Sequence, residues 1–370
     1  MEQEYQMNAV QDMIIKFEYV WLDGDKTKNI RMKTRYENWK LDMSNSAGFS
    51  REEILRKAPV WSFDGSSTGQ AKTEESDLYL HPVKIYHNPL EQSEMASFIV
   101  LCDVRDRSGN PVGTNTRSDL IKALSNTKEE ELQFSVEQEY FIRNAKTQNV
   151  VGLDSNSEPQ GRYYCGVGSN LVDSTCRRIS ELHAETCHQT RIPFFGTNAE
   201  VAPGQWEYQL YHQDPLDAAD DLWISRYFLM RVAETFDCYI DLKPKPVKGD
   251  WNGSGAHINF STKETREEGS AKLCATICEA LRSSHKNHID KYGDGNEERL
   301  TGEHETQDIN KFTWGAGDRG ASIRVPAETI SNGWNGYYED RRPGANVDPY
   351  EAFTVLIRTL DNAKTLEEVS

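Results

Sequence analysis

The sequence predicts an α+β fold in two domains, a small sheet-rich one over residues 1–108 and a larger one over residues 109–370. Three observations predict it. The chain of 370 residues exceeds the usual length of one domain, its first part is rich in strand-like runs, and the rest mixes such runs with long helical segments. The turn-rich segment 108–113, Ser-Gly-Asn-Pro-Val-Gly, marks the boundary.

The first domain begins with a predicted hairpin. Residues 14–22 and 29–35 alternate apolar and polar side chains around Asp23-Gly24-Asp25, which is typical of two strands joined by a tight turn. Further strand-like runs cover residues 60–63, 78–86 and 98–102.

The second domain alternates predicted helices with short strands. Asp214-Pro215 and Asp348-Pro349 each place a capping aspartate before a proline at the first helical position. Helices are predicted over 118–126, 173–191, 214–236 and 271–292 and from 348 onwards, and strands over 135–141, 194–201, 205–211, 256–260 and 321–325. This order predicts a curved antiparallel sheet surrounded by helices.

Composition excludes several classes of protein. The formal net charge of −17 argues against a nucleic-acid binder, which normally carries a basic excess. No run of about 18 apolar residues exists, so no membrane span is predicted. The seven cysteines are an odd number spread widely, and the acidic N-terminus Met1-Glu-Gln-Glu-Tyr lacks a signal region. We therefore expect a cytoplasmic protein with free thiols.

The strand at residues 135–141, Ser-Val-Glu-Gln-Glu-Tyr-Phe, places two carboxylates on one face. Residues two apart in a strand point the same way, about 7 Å from each other, so Glu137 and Glu139 are neighbours. Burying both without partners would cost several kcal/mol. Either this face meets water, as in most such pairs, or a positive group lies on it.

Other acidic groups lie on strand-like segments further along the chain. Glu200 and Glu207 flank a Pro203-Gly204 turn, so a hairpin could bring them together. His257 follows the glycine-rich loop 249–255, and Glu339 lies in another charged segment. Alone, each is more simply explained as a surface charge or a structural histidine. Together they suit hard cations such as Mg²⁺ or Mn²⁺, whereas zinc prefers more histidine or cysteine.

A basic set accompanies these acids, and guanidinium groups match carboxylate and phosphate oxygens. Its members are Arg299, Arg319, Arg324, Arg341 and Arg342. Metal ions and arginines around phosphates are what phosphoryl transfer requires. The Gly-x-Gly-x-x-Gly match at 315–320 precedes a strand-like run rather than a helix, so it does not indicate a dinucleotide site.

In this order the motifs resemble those of glutamine synthetase, most closely the shorter type II form. The resemblance runs from Trp21-Leu-Asp-Gly to the segment that ends in Val347-Asp-Pro349. It implies an N-terminal β-grasp domain and a larger catalytic domain. It also implies a homo-oligomer, usually a decamer of two stacked pentameric rings, with each site between subunits.

The resemblance further implies a reaction. ATP would phosphorylate the γ-carboxylate of L-glutamate, and ammonia would displace the phosphate from γ-glutamyl phosphate to give glutamine, ADP and phosphate. Two or three Mg²⁺ or Mn²⁺ ions per site would be needed. By motif, Glu139, Glu200 and Glu207 would hold the metal near glutamate. Glu137, His257 and Glu339 would hold the metal at the nucleotide phosphates.

The resemblance also assigns the remaining residues. Asn252, Gly253 and Arg299 would bind glutamate, and Arg319, Arg324 and Arg341 would meet the phosphate and the transferring group. Tyr337 and Ser261 would lie near the nucleotide. Asp64 would come from the neighbouring subunit and take a proton from ammonium, since ammonia is the nucleophile. Glu305 would sit on a flap that excludes water from the site.

Two departures from the family pattern and three alternative functions stay open. Gln133-Phe134 replaces an aromatic pair common in type II members, and Asp318 replaces an asparagine before Arg319. The alternatives are a ligase that uses another amine, a non-catalytic structural or regulatory oligomer, and a guanidino kinase. Asp64 and Glu305 favour ammonia. A non-catalytic relative would typically lack metal ligands, and the glycine-rich loop does not fit the kinase.

Overall fold

The computed structural model describes residues 10–42, 50–129, 131–154, 157 and 160–369. The chain divides into two compact units, one ending at Asn115 and the other beginning at Thr116. The N-terminal segment on which the expected lack of a signal region rests lies outside the described residues. No helix in the described part is both long enough and apolar enough to span a bilayer.

The described residues of the first unit form a five-stranded sheet and one short α-helix, and the strands lie in the order β2-β1-β5-β4-β3. The predicted hairpin is confirmed, because β1 and β2 pair antiparallel from Val10 opposite Asp42 to Leu22 opposite Ile30. The elements are β1 (Val10–Leu22), β2 (Ile30–Asp42), α1 (Arg51–Lys57), β3 (Trp61–Asp64), β4 (Asp77–His87) and β5 (Ala96–Arg105). Strand β1 pairs parallel with β5 at the centre of the sheet.

One face of this sheet forms the core of the first unit. Alternate residues of β1, namely Phe17, Tyr19 and Trp21, are buried and pack with Leu80 and Val100. Glu18 and Val20 on the other face of β1 are also buried, so the period of two divides the two faces of the strand but does not by itself identify the core face.

The second unit is built on an eight-stranded sheet in the order β11-β12-β13-β10-β6-β8-β7, with β9 paired to β6. Its strands are β6 (Gln133–Asn144), β7 (Phe194–Ala199), β8 (Gln205–Leu210), β9 (Cys238–Asp241), β10 (Ala256–Ser261), β11 (Trp314–Ala316), β12 (Ile323–Val325) and β13 (Tyr338–Asp340). Neighbouring strands are antiparallel apart from β11 and β12, which are parallel. The predicted α+β class, with an essentially antiparallel sheet, is confirmed.

Helices surround this sheet, with α4 packed on β6 and β9 and α3 on β7. The helices are α2 (Thr116–Asn126), α3 (Ser174–Thr190), α4 (Pro215–Glu234), α5 (Lys263–Glu267), α6 (Ala271–Ser283), α7 (His285–Ile289), α8 (Ala327–Ser331) and α9 (Pro349–Val369). The predicted cap of α4 is confirmed, because the Asp214 carboxylate accepts a hydrogen bond from the Leu216 N–H at 2.9 Å.

One predicted helix is wrong. Residues 271–292 do not form a single helix, because the chain breaks at Ser284 between α6 and α7. After the break, His285 and His288 place their Nδ1 atoms 3.0 and 2.9 Å from the guanidinium of Arg342. This long-range contact competes with the local helical pattern, and the sequence alone does not reveal it.

Strand β6 has one face toward the helices and the other toward a cavity. Val136, Gln138 and Tyr140 are buried on the side of the helices. Glu137 and Glu139 point to the opposite side, where they line a cavity. The alternation of the strand thus separates a buried back, which includes the polar Gln138, from an acidic front.

Candidate active site

A cavity of about 770 Å³ lies in the second unit, and most of the sequence-predicted site residues line it. These are Glu137, Glu139, Glu200, Glu207, Asn252, Gly253, His257, Arg299, Glu305, Arg319, Arg324, Tyr337 and Arg341. Glu339 lies directly behind this wall and contacts His257, Arg324 and Arg341. The dispersed acids and the imidazole therefore converge in space.

Strand register brings the acidic groups together. Glu137 of β6 lies opposite His257 of β10, and Glu139 lies opposite Glu207 of β8. Glu339 of β13 lies opposite Asn259 of β10. Side chains directly opposite on one face of an antiparallel pair lie about 5 Å apart, so the register alone concentrates negative charge. Glu200 differs from the prediction, because it follows β7 in a turn instead of lying on a strand.

Three of these side chains form a compact group of possible metal ligands. One ligand atom from each of Glu137, Glu207 and His257 lies within 4.8 Å of the others. The His257 Nδ1 is buried and lies 3.3 Å from Glu339 Oε1 and 3.8 Å from Glu137 Oε2. It nevertheless has no hydrogen-bond partner among the described residues. A buried nitrogen that faces carboxylates without a hydrogen bond fits a bound cation.

Glu339 is held by two arginines. Its carboxylate accepts hydrogen bonds from Nη1 of Arg324 and from Nη1 of Arg341, and its side chain is almost fully buried. Arg341 also donates from Nε to the carbonyl of Arg319 at 2.9 Å. These contacts orient two guanidinium groups at the cavity wall.

Glu139, Glu200 and Glu207 form the second acidic region, and burial is the main cause that raises the pKa of each. Burial and the neighbouring Glu139 raise the pKa of Glu200 to about 8. The Gly255 N–H donates to Glu139 at 2.7 Å, and the Gln209 amide donates to Glu207 at 2.6 Å. Buried carboxylates that hinder each other's ionisation are well suited to bind a divalent cation, which would neutralise them.

The raised pKa of Glu200 predicts a pH dependence of stability. Because its folded-state pKa of about 8 exceeds the ordinary value of 4.5, the folded chain binds a proton that the unfolded chain releases. This contribution to stability is complete below pH 4.5 and is lost as the pH rises through about 8. We expect the melting temperature of the metal-free protein to fall as the pH rises from 4.5 to about 8.

Glu200→Gln provides the control for this pH dependence, because glutamine does not titrate. Its melting temperature should fall less over the same pH range than that of the unaltered protein. Equal pH dependence of the two proteins would contradict the raised pKa. Mg²⁺ or Mn²⁺ should bind more tightly as the pH rises, because its carboxylate ligands must first lose their protons.

The glycine-rich loop approaches Arg299 closely. A Cβ atom at Gly253 would lie 2.3 Å from the carbonyl oxygen of Pro244 and 2.7 Å from the side chain of Arg299, so only glycine fits. The buried Arg299 donates to the carbonyls of Arg341 and Arg342 at 3.1 and 3.3 Å. The Asn252 Oδ1 is buried and lacks a hydrogen-bond partner in the described part of the chain.

A second set of contacts joins this loop to the segment that carries Glu305. The Gln160 side chain accepts from the Asn252 N–H and donates to His304 Nδ1 at 2.8 Å. His304 Nε2 lies 3.2 Å from a carboxylate oxygen of Asp250. His304 and Glu305 both have positive φ, at 53° and 58°, a conformation that the surrounding contacts must stabilise.

Three residues of the predicted sets are not among those that line the cavity. Asp64 belongs to the first unit, where it ends β3 and is exposed, and hydrogen bonds from Ser66 and Ser67 lower its pKa to about 2. Ser261 is buried at the end of β10 and accepts a hydrogen bond from Arg266 at 3.0 Å. Arg342, grouped by sequence with the phosphate-binding arginines, is buried behind the sheet beside Asp340, so that grouping is wrong.

Sequence reasoning missed other residues of the cavity. Asn259 donates to Glu137 at 2.8 Å, and its position two residues after His257 on a strand could have revealed it. Phe195 and Tyr211 line the cavity with exposed rings in edge-to-face contact. No sequence signal distinguishes such exposed rings from core aromatics. His304 of the cavity and Gln160, which contacts it from outside the lining, were missed because their contact depends on tertiary structure.

Fold and site together define the class: a two-domain α+β protein with a carboxylate-lined cavity suited to divalent cations and to anionic substrates. A family model described as the glutamine synthetase β-grasp domain matches residues 13–107. A second model, described as the glutamine synthetase catalytic domain, matches residues 113–276.

Curated relatives match over nearly the whole chain. A putative glutamine synthetase from Acanthamoeba polyphaga mimivirus is 42% identical over 95% of both chains. A glutamine synthetase from Emericella nidulans is 42% identical over 93% of this chain and 91% of its own. Glutamine synthetase N-1 from Phaseolus vulgaris is 40% identical over 92% of both. The chain belongs to the glutamine synthetase family, and its first unit is a β-grasp domain.

Proposed function

We propose that this chain is a glutamate–ammonia ligase that uses ATP to join ammonia to the γ-carboxylate of L-glutamate. One observation carries the proposal. In a member of the glutamine synthetase family, six acidic and imidazole groups and four arginines converge on a single cavity. This donor set suits metal-assisted phosphoryl transfer, in which positioning and charge stabilisation supply most of the catalysis.

We propose that Mg²⁺ or Mn²⁺ ions are held by Glu137, His257 and Glu339 on one side and by Glu139, Glu200 and Glu207 on the other. The uncompensated His257 Nδ1 and the raised pKa values of Glu139, Glu200 and Glu207 support this assignment. The close grouping of Glu207 with Glu137 and His257 suggests that the two sets are contiguous. Bound metal would neutralise phosphate charge and polarise the phosphoryl oxygens.

The arginines would orient the anionic parts of the substrates. Arg299 is fixed by two backbone carbonyls, and with Asn252 and Gly253 it would bind the glutamate substrate. Arg341 and Arg324 are oriented by Glu339, and with Arg319 they would face the transferring phosphoryl group. Tyr337 lines the cavity beside His212, at 5.2 Å between ring centres, and would lie near the nucleotide. Ser261 is buried behind the cavity wall and would lie near the nucleotide.

Two further residues would exclude water from the cavity and bind ammonium. We propose that Glu305, held next to His304, forms part of the flap that keeps water from the acyl phosphate. Asp64 would meet ammonium from the neighbouring subunit. Its pKa of about 2 keeps it ionised, which favours electrostatic attraction of ammonium but makes it a weak base.

Assembly, location and domain boundary belong to the same proposal. We propose a homo-oligomer of stacked pentameric rings, a cytoplasmic location and a boundary near residue 108. The family resemblance supports the rings, and relatives named cytosolic isozymes in rice and Arabidopsis thaliana support the location. The ends of the two family-model matches, at residues 107 and 113, support the boundary.

The decisive experiment measures phosphate release with ATP, L-glutamate, Mg²⁺ and ammonium, each omitted in turn. We expect rapid release only with the full mixture, and formation of glutamine in equal amount. Replacing ammonium by hydroxylamine, methylamine or ethylamine tests the alternative amines. A faster rate with one of these would favour a different γ-glutamyl ligase, and no release with any amine would favour a non-catalytic oligomer.

Asp64→Asn should impair the use of ammonia more than formation of the acyl phosphate. Asparagine keeps the shape of the side chain but removes the charge that attracts ammonium. We expect a raised KM for ammonium and a nearly unchanged KM for glutamate and ATP. Asp77→Asn, which alters an exposed carboxylate opposite Asp64 on β4, is the matched control. An equal rise in the KM values for ammonium, glutamate and ATP would contradict the assigned role.

A further inference from the structure

Gln138 occupies the position between the two carboxylates of β6 and faces away from them. Its side chain is completely buried behind the sheet, where it meets Arg226 of α4. Arg226 is also buried, with only 1% of its surface exposed. Neither residue reaches the cavity, and neither has a role in the function proposed above.

These two side chains connect three parts of the second unit through hydrogen bonds. Arg226 donates from Nε and Nη2 to the Gln138 Oε1, at 2.9 and 2.6 Å. It also donates to the carbonyls of Ala345 and Val347, at 3.1 and 2.8 Å. Gln138 donates in turn to the carbonyls of Glu139 and Ala345, at 2.7 and 3.1 Å.

The guanidinium is fixed in orientation as well as in position. It lies over the Trp223 ring, 4.6 Å from its centre. Burial lowers the pKa of Arg226 to about 10, which reflects the cost of placing a charge there. A neutral core residue would avoid that cost. The arginine instead provides several donors in a rigid fork that hold one amide and two carbonyls at once.

We propose that Arg226 and Gln138 are positioning residues for the metal-binding carboxylates. By holding the main chain at Glu139, they fix the directions in which Glu137 and Glu139 project from β6. By holding residues 345–347, they fix the segment that follows Arg341 relative to the same strand. The inference rests on the proposed function, in which these carboxylates bind divalent cations.

The test measures Mn²⁺ binding to the metal-free protein, by the electron paramagnetic resonance signal of free Mn²⁺. Arg226→Lys keeps the charge but loses the fork, and we expect the Kd for Mn²⁺ to rise about tenfold or more. Gln138→Glu keeps acceptors for Arg226 and removes only the Nε2 donor to the Glu139 and Ala345 carbonyls, so the fold should survive. Its additional negative charge alone would tighten Mn²⁺ binding, so weaker binding would report lost positioning.

Arg117→Lys is the matched control for a purely structural effect. Arg117 is a largely buried arginine of α2, and it binds Asp220 of α4 through two hydrogen bonds of 2.8 and 3.0 Å. The substitution should lower the melting temperature and leave the Kd for Mn²⁺ unchanged. Arg226→Lys and Gln138→Glu should instead raise the Kd for Mn²⁺, and this rise should exceed that of Arg117→Lys at a comparable fall in melting temperature.

Glu139→Gln separates this inference from the proposed function. If Glu139→Gln weakens Mn²⁺ binding but Arg226→Lys and Gln138→Glu bind as the unaltered protein does, the positioning inference is wrong and the metal site stands. If Glu139→Gln also binds normally, the metal site itself is wrong. A rise in Kd for Arg117→Lys as large as that for Arg226→Lys would assign the effect to general loss of packing.

Discussion

Glu139→Gln is expected to reduce glutamate-dependent ADP release by more than about a hundredfold, because residues that only orient metal ligands already contribute 10- to 100-fold in metal affinity or activity. Glu139 lies at the centre of the acidic cluster, opposite Glu207 and next to Glu137 on the same face of β6. Glutamine preserves its volume and can still accept the hydrogen bond from Gly255, but it provides no negative charge.

The control for this experiment is Glu181→Gln, which makes the same chemical change on an exposed face of α3. It should retain full ADP release. The Glu139 variant should melt at a higher temperature than the unaltered metal-free protein, because burial disfavours the charged form of this carboxylate and raises its pKa. Normal turnover of Glu139→Gln with Mg²⁺ would refute the assignment of Glu139 as a metal ligand.

Arg342→Met is expected to lower the free energy of unfolding by about 3–5 kcal/mol, the usual cost of leaving one partner of a buried ion pair without the other. Arg342 and Asp340 are both fully buried and are joined by hydrogen bonds of 2.9 and 2.6 Å. Arg342 therefore holds the pKa of Asp340 below its ordinary value, although burial acts in the opposite direction. Urea unfolding of the metal-free protein measures the change.

Lys146→Met tests the opposite extreme, because Lys146 and Asp237 form an ion pair with both side chains largely exposed. This change should leave the free energy of unfolding almost unchanged, because solvent and salt screen exposed ion pairs. The double variant Arg342→Met, Asp340→Leu should recover much of the lost stability, since it removes the unpaired charge. A loss below about 1 kcal/mol for Arg342→Met alone would contradict the importance of the buried pair.

Local pattern predicted the parts of the fold that depend on local chemistry. The β1–β2 hairpin follows from alternation around a short turn, and the start of α4 follows from Asp214-Pro215. The helix predicted over residues 271–292 was wrong because the contact of His285 and His288 with Arg342 stops it at Ser284. Such long-range contacts leave no trace in the spacing of apolar residues.

The sequence likewise predicted only those features of the site that depend on local spacing. Spacing of two in β6 placed Glu137 and Glu139 on one face, but only the register of β8 and β10 reveals which groups face them. The front and back of β13 also required the structure, since Arg341 and Arg342 are adjacent and chemically identical. Arg341 meets Glu339 at the cavity wall, whereas Arg342 meets Asp340 behind the sheet.

The order Glu339-Asp340-Arg341-Arg342 has a consequence for the specificity of folding. A slip of β13 by one residue would still present an acid and an arginine to the cavity, because both types are doubled in sequence. Charge alone therefore cannot distinguish the correct alignment from its nearest competitor. The choice falls to shape-selective contacts on the concealed side, where Tyr338 packs edge-on against Phe260. The concealed side of β13 thus decides whether Glu339 or Asp340 faces His257 and the cavity.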